Sequence, residues 1–396
     1  MKSNKKLFSA SLASTVVILF LILVSSTASA SITKIKITTN RGAWDNPVIY
    51  GDRIVWNDDH TENINVYMYN LSTKKETQIT TSGSAYNPAI YGNRIVWQDY
   101  LNGNLDIYMY DISTKKETQI TIDRSAETPD IYGNKIAWDN SNIYVYDIST
   151  SKETQITNKR AFDPSIYGNK IVWWDNRNEN SKWDIYAYDL STSKETRITT
   201  SGSAKSPDIY GNKIVWQDNR NGNWDLYMYD LSTKKETQIT KDLSDSEDPV
   251  IYGNSIVWED SRNGNSDIYA YDLITHQQVH TTDKSYQVNP AIYRNKIVWM
   301  DNRNGNHDLY MGTINYLPVA AFSASPITGK HPLNVKFTDK STDAYYYSWN
   351  SGDKNTSTAK SPMHKYTKAG KYTVSLTVKN AAGSNTKKVS NYIKVK

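Results

Sequence analysis

Short runs of alternating apolar and polar residues, broken by Gly, Asn, Pro or Ser, recur along most of the chain, and no stretch carries a helical period. The run IYGNKIVW is the clearest ruler. Its variants end at Trp56, Trp97, Trp138, Trp173, Trp216, Trp258 and Trp299, in steps of 41, 41, 35, 43, 42 and 41 residues. That period falls in the range of propeller repeats. Each unit reads Pro-x-Ile-Tyr, a Gly-Asn turn, Lys-Ile-Val-Trp, a variable DNRNGN loop, Asp-Ile-Tyr-x-Tyr-Asp, an STKK turn and ETQIT. Four runs rich in β-branched and aromatic residues, separated by turn residues, predict four strands per unit.

A lone four-stranded unit cannot bury both of its faces, whereas a radial array packs each sheet between two neighbours. The predicted fold class is therefore all-β, a seven-bladed β-propeller with four-stranded blades. In this frame the repeated tryptophans fill the gaps between blades. Pro47, Pro88, Pro129, Pro164, Pro207, Pro249 and Pro290 open the innermost strands, where a missing N–H is tolerated. Glycine occupies the first hairpin turn, as at Gly51 and Gly92, where positive φ is needed. The seventh copy has Arg294 there, which leaves the turn to Asn295. That copy also stops after three strands, at Ile314, while SITKIKITT precedes Pro47 much as ETQITT precedes Pro88. Residues 32–38 are expected to supply the missing outer strand and close the ring.

The unit GNKIVWQDNRNGNWDLYMYDLSTKKETQIT resembles the TolB-type propeller repeat, over residues 31–315. After Ile314 the repeat gives way to FSASP, PLNVKFTDKST, HKYTKAGKYTVSLTV and NAAGSNT, whose alternation and turns predict a small antiparallel sandwich. Residues 318–396 are similar to polycystic kidney disease (PKD) domains, which implies an immunoglobulin-like β-sandwich acting as a non-catalytic spacer or binding unit. Where that family has W-x-F-G-D-G, this chain has WNSGDK at 349–354, so Ser351 and Lys354 replace the aromatic and the second glycine. Only residues 315–317 separate the two modules, and little relative movement is expected.

The first 30 residues read as a signal peptide: Lys2, Lys5 and Lys6, the apolar run at 15–24, then Ala28-Ser29-Ala30 at the cleavage positions. The alternative is an uncleaved membrane anchor, because the run approaches spanning length. Either way the remainder is expected outside the cell or on its surface. Of 396 residues none is cysteine, which excludes disulfides, thiolate metal sites and cysteine nucleophiles. Losing three lysines and no acid with the signal lowers the net charge from +5 to +2, and the remaining lysines are spread across the repeats, so a nucleic-acid partner is not expected.

DNRNGNWDLY at 218–227 poses the choice between a calcium loop and a hairpin. Counting Asp218 as the first ligand puts Arg220 in the third slot, with Arg177, Arg262 and Arg303 equivalent. A fixed cation among the ligands opposes a second one. The loop is expected to be a turn, with Asn-Gly at its tip and Arg220 paired to Asp218 or Asp225. The six histidines lie in different elements, no zinc spacing or G-x-S-x-G elbow occurs, and no metal, cofactor or catalytic residue is assigned. Paired carboxylates for glycoside cleavage stay open, with no pair singled out.

The least uniform residues lie in what reads as loops before each proline: Trp44, Asp45, Tyr86, Phe162, Lys205 and Tyr286, with Asn46, Asn87, Asp163, Ser206, Glu247 and Asp248 beside them. These loops are expected to ring one mouth of the central channel and to form a candidate binding surface. The other reading is that the aromatics pad the joints between blades. Asn70 and Asn355 sit in glycosylation patterns. The tandem of propeller and PKD module resembles archaeal surface-layer-type proteins. This implies a cell-surface binding, adhesion or surface-assembly module that is not an enzyme, with surface glycans or other surface proteins as partners. The alternative is a secreted polysaccharide lyase or hydrolase with its site at the channel mouth.

Overall fold

In the computed structural model the described residues are 30–38, 43–59, 63–101, 103–122, 124–177, 182–281 and 283–396; the signal-peptide reading falls outside them. Among them there are strands and turns and no helix. Seven four-stranded antiparallel sheets follow one another, and we number them blades 1–7. Blade 2 shows the plan. Its inner strand is Ala85–Tyr91, the second Arg94–Leu101, the third Asn104–Asp111 and the outer one Lys116–Gln119.

The second strand of each blade is apolar on both faces because both are covered. In blade 1, Val55 packs into the cluster of blade 2 with Ile95 and Trp97, while Trp56 packs on Val298, Met300 and Leu309 of blade 7. All seven repeated tryptophans are essentially fully buried between blades. Outer strands such as Lys116–Gln119 are short and largely exposed, with a lysine at the rim that discourages further pairing.

Blade 7 is completed from the other end of the chain. Ser31–Lys36 pairs antiparallel with Asp308–Asn315, from Ser31 opposite Asn315 to Lys36 opposite Tyr310. Seven tyrosines at the ends of the inner strands (Tyr50, Tyr91, Tyr132, Tyr167, Tyr210, Tyr252 and Tyr293) touch in an unbroken circle, successive ring centroids 4.6–4.9 Å apart.

Two local expectations are corrected. Arg294 itself takes the left-handed turn conformation, φ 60°, where Asn295 was expected to serve. The prolines do not open the inner strands. They sit inside them at a bulge, because the ladder resumes before the proline: Tyr86 pairs with Gln98 and Ala89 with Val96, two residues against one across the gap. The bulge leaves the proline without a ladder partner, so its missing N–H costs nothing there.

Beyond Asn315 the chain forms a sandwich of a three-stranded and a five-stranded sheet around Phe337, Trp349, Tyr366, Val374 and Leu376. The WNSGDK hairpin closes with Trp349 opposite Ser357, and Lys354 takes φ 74° where the family pattern has glycine. The joint is built rather than loose. Gln277 of blade 6 exchanges two hydrogen bonds with the Leu317 backbone, at 2.9 and 3.0 Å, and Asn380 Nδ2 donates to the Tyr316 carbonyl at 2.7 Å. Tyr316 is buried against Val257, Ile268 and Ile314.

Candidate functional site

The inner strands enclose an axial cavity of about 430 Å³, lined in every blade by the proline and its two neighbours. The residue before each proline (Asn46, Asn87, Thr128, Asp163, Ser206, Asp248, Asn289) has φ between 44° and 55°. A residue before proline ordinarily stays extended, and a β-branched Thr128 there is a true outlier. The bulge imposes this conformation, and the neighbouring blade secures it. Gln98 Oε1 accepts the Thr128 N–H at 2.8 Å, and Gln217 Oε1 accepts the Asp248 N–H at 2.6 Å. Glu259 does the same for Asn289, also at 2.6 Å.

The lining is lopsided. Blades 7, 1 and 2 present Asn289, Ala291, Asn46, Val48, Asn87 and Ala89, whereas blades 3–6 present Asp130, Asp163, Asp208 and Asp248. Asp130 accepts from its own following N–H and from Ile166 N in blade 4, both at 2.8 Å, and Asp208 accepts from Ser165 Oγ and Ile251 N. These two carboxylates clip blades together. Asp163 opens onto the channel yet is surrounded by protein; burial, with the charges of Asp248 and Asp208, pushes it up to about 6. Burial likewise raises Asp130 to about 6 and Asp139, beside Thr128, to about 7.

Glu259 is pushed furthest, to about 8, by burial and by the charges of Asp248 and Glu247. It stands where blades 2 and 5 have glutamine and does the work of that amide, so near neutral pH it is largely the protonated, amide-like form. The folded state binds this proton more tightly than the unfolded chain. Stability is therefore intact below the ordinary value of 4.5 and is lost as pH rises towards 8. Glu259→Gln is expected to leave the melting temperature unchanged near pH 4.5 and to raise it at pH 8.5, by an amount worth about 1–3 kcal/mol. Thermal melts at the two pH values check this; an equal shift at both would show that Glu259 is not a buried acid.

Hairpins of the DNRNGN type with an arginine stand at the mouth in blades 4–7, and each of these arginines locks onto its own aspartate. Arg220 contacts Asp218 at 2.5 Å and Glu236 at 2.7 Å, and Arg177 holds Asp175 and Glu195, both at 2.5 Å. Arg262 and Arg303 repeat the pairing with Asp260 and Asp301. Among the described residues no group of three or more His, Asp or Glu side chains could hold a metal ion.

One sector of the lip differs. Phe162, Trp174 and Trp183 of blade 4 pack together, with Trp174 and Trp183 edge to face at 4.5 Å. Lys205 of blade 5 extends over Trp174, Trp183 and Trp224, its Nζ 5.5, 5.5 and 5.9 Å from the ring centroids, and Arg160 lies 5.4 Å over Phe162.

Of the residues expected at the mouth, the structure thus brings Phe162 and Lys205 together. Tyr86 lies on blade 2 opposite Gln98, and Tyr286 is exposed before blade 7; neither joins the cluster. Trp44 and Asp45 fall in the strand Ala43–Tyr50, with side chains outside the described residues. Except for Tyr286, these positions are strand residues and not loops, because pairing resumes ahead of each bulge. Asn70 caps its own turn through the Ser72 and Thr73 N–H groups, and Asn355 is exposed in the PKD hairpin. Sequence reasoning missed Trp174, Trp183, Trp224, Asp130, Asp208 and Glu259. Aligning the seven copies would have flagged Asp130 and Asp208, because the position after proline reads Val, Ala, Asp, Ser, Asp, Val, Ala, and also Trp174 and Glu259, because the position after the repeated tryptophan reads Asn, Gln, Asp, Trp, Gln, Glu, Met.

Comparison with known proteins bears on both modules. A family model of the PKD domain matches residues 315–395. No curated protein matches the chain. The β-propeller domain of the Trilobed protease from Pyrococcus furiosus is similar at a TM-score of 0.57 and 13% identity, over 69% of this chain and 94% of that one. An oligogalacturonate lyase in complex with manganese is similar at 0.54 and 12%, over 72% and 96%. A putative TolB from Agrobacterium tumefaciens follows at 0.42 and 16%, over 63% and 90%. At such identities the likeness is one of fold, and propellers serve enzymes and non-enzymes alike. The chain is a β-propeller followed, at residues 315–395, by a PKD domain.

Proposed function

We propose that the protein is an exported cell-surface module whose propeller mouth binds saccharide chains without cleaving them. The observation that carries this reading is the cluster of Phe162, Trp174, Trp183 and Trp224 at the channel lip, half-buried and gathered from two blades. Indole and phenyl faces present rigid amphipathic area to sugar rings at little entropic cost. PKD domain and propeller together suit a surface-exposed protein. The double change Trp183→Ala and Trp224→Ala is expected to weaken glycan-array binding by about tenfold or more, the equivalent of roughly 1.4 kcal/mol, while the protein stays folded. Undiminished binding would remove the lip from the reading. Binding lost only when residues 318–396 are deleted would move it to the PKD domain.

A second reading, a polysaccharide lyase or hydrolase, is favoured by Asp163, a channel-facing carboxyl that burial pushes up to about 6, and by the fold shared with a lyase. Incubation with bound glycans separates the two. New reducing ends or unsaturated products, absent from Asp163→Asn, would establish catalysis.

A further inference from the structure

Resting on the saccharide reading, we infer that the ligand at this lip is an anionic sugar chain, recognised by Lys205 and Arg160. Around the mouth, guanidinium charge is otherwise spent at home. Arg177, Arg220, Arg262 and Arg303 each hold a fully buried aspartate and a second acid, and Arg124 reaches Glu153. Among the described residues, Lys205 and Arg160 form no ion pair, and what they touch are aromatic faces. Three indoles fix the Lys205 ammonium in place by cation–π attraction. They also strip part of its water and offer its three N–H donors no lone pair.

A half-desolvated cation without a counterion gains from an arriving anion far more than a solvated one does. Here that anion would arrive on a molecule whose ring faces stack on the same indoles. Uronate carboxylates and sulfate esters share this chemistry: a negative group projecting from the edge of a ring whose C–H face is apolar. The acidic sector of the cavity sets a boundary. Asp163 and Asp248 line the channel beside the cluster. The anionic group is therefore held at the rim over Lys205, and the acids keep it from descending the axis.

The test compares three oligosaccharides of equal length, one neutral, one uronate-containing and one sulfated, with the protein comprising residues 31–396, its Lys205→Gln variant and its Arg160→Gln variant. The two acidic chains are expected to bind about tenfold tighter than the neutral one at low salt, and the advantage to vanish in ~0.5 M salt. Lys205→Gln should erase the advantage while leaving neutral binding within about twofold, and Arg160→Gln, at an exposed position, should reduce it without touching the fold. Preference for only one acidic chain would name the source of the anion. Equal affinity for neutral and acidic chains, or an advantage that survives Lys205→Gln, overturns the inference while the saccharide reading stands. If no saccharide binds, and a surface protein is captured in a manner sensitive to Trp183→Ala and Trp224→Ala, both fall.

Discussion

Deleting residues 31–38 is expected to lower the melting temperature by on the order of 10 °C and to make the protein aggregate, because the ring is then held shut only by side-face packing. The lost segment contributes six paired residues to blade 7, and Thr38 Oγ1 accepts the buried Leu309 N–H at 2.9 Å. Lys36 loses its ion pair with Asp308, a carboxylate almost wholly buried, at 2.6 Å. The third strand of blade 7 would be left as an open edge, and Trp299 would lose the cover of Ile32, whose methyl lies close to Gly312 beside the indole. Calorimetric melts and light scattering read the effect, and a SITKIKITT peptide added in trans should restore part of it. Unchanged melting and solubility would mean that the pairing of Ser31–Lys36 contributes nothing to closure.

Trp216→Ala should cost about 3–5 kcal/mol, the range for deleting a large side chain from a packed interior. Trp216 is fully buried between blades 4 and 5, among Val172, Ile185, Ala204 and Ile214 and stacked on Tyr227 at 6.1 Å. Its indole N–H has no hydrogen-bond partner, so no hydrogen bond is lost with the side chain. Trp173, which donates to Asp175 at 3.0 Å, forfeits a hydrogen bond as well. Trp224→Ala, half-exposed at the lip, should cost about 1 kcal/mol. Denaturant titration of the variants decides it, and equal costs for Trp216 and Trp224 would contradict the packing role.

The fold was legible because every blade repeats the same physics: a doubly covered strand must be apolar on both faces, and the chain writes KIVW or a close variant of it (RIVW, KIAW, SIVW) seven times to satisfy it. Even ring closure could be read, from a missing outer strand at one end and a spare one at the other. The candidate site was harder for the converse reason, since it consists of departures from the repeat. Phe162 and Lys205 stood out as unusual, but nothing in their spacing shows that they meet Trp183 and Trp224 across two blades. The bulge at each proline hid the geometry further. A residue before proline is expected to be extended, so neither the left-handed ring nor the continuation of the strand through it could be anticipated. Glu259 drew no notice in the sequence, because only its surroundings make it the equivalent of Gln98.

The joint at Tyr316 also gives the molecule a direction. Inner strands run from the lip, at Asn46 and its equivalents, to the tyrosine circle, and Gln277, Leu317 and Asn315 all lie at the tyrosine end. Ser31, paired with Asn315, starts there as well. Seven strand residues span about 23 Å, so the PKD domain and the strand beginning at Ser31 emerge together from one pole while the aromatic lip occupies the other. Any tether drawn through either of them pulls on the same side. The protein is then presented like a cup on a stem: whatever holds the stem, the rim with Lys205 and its tryptophans faces away from the support, unobstructed by the chain's own second module.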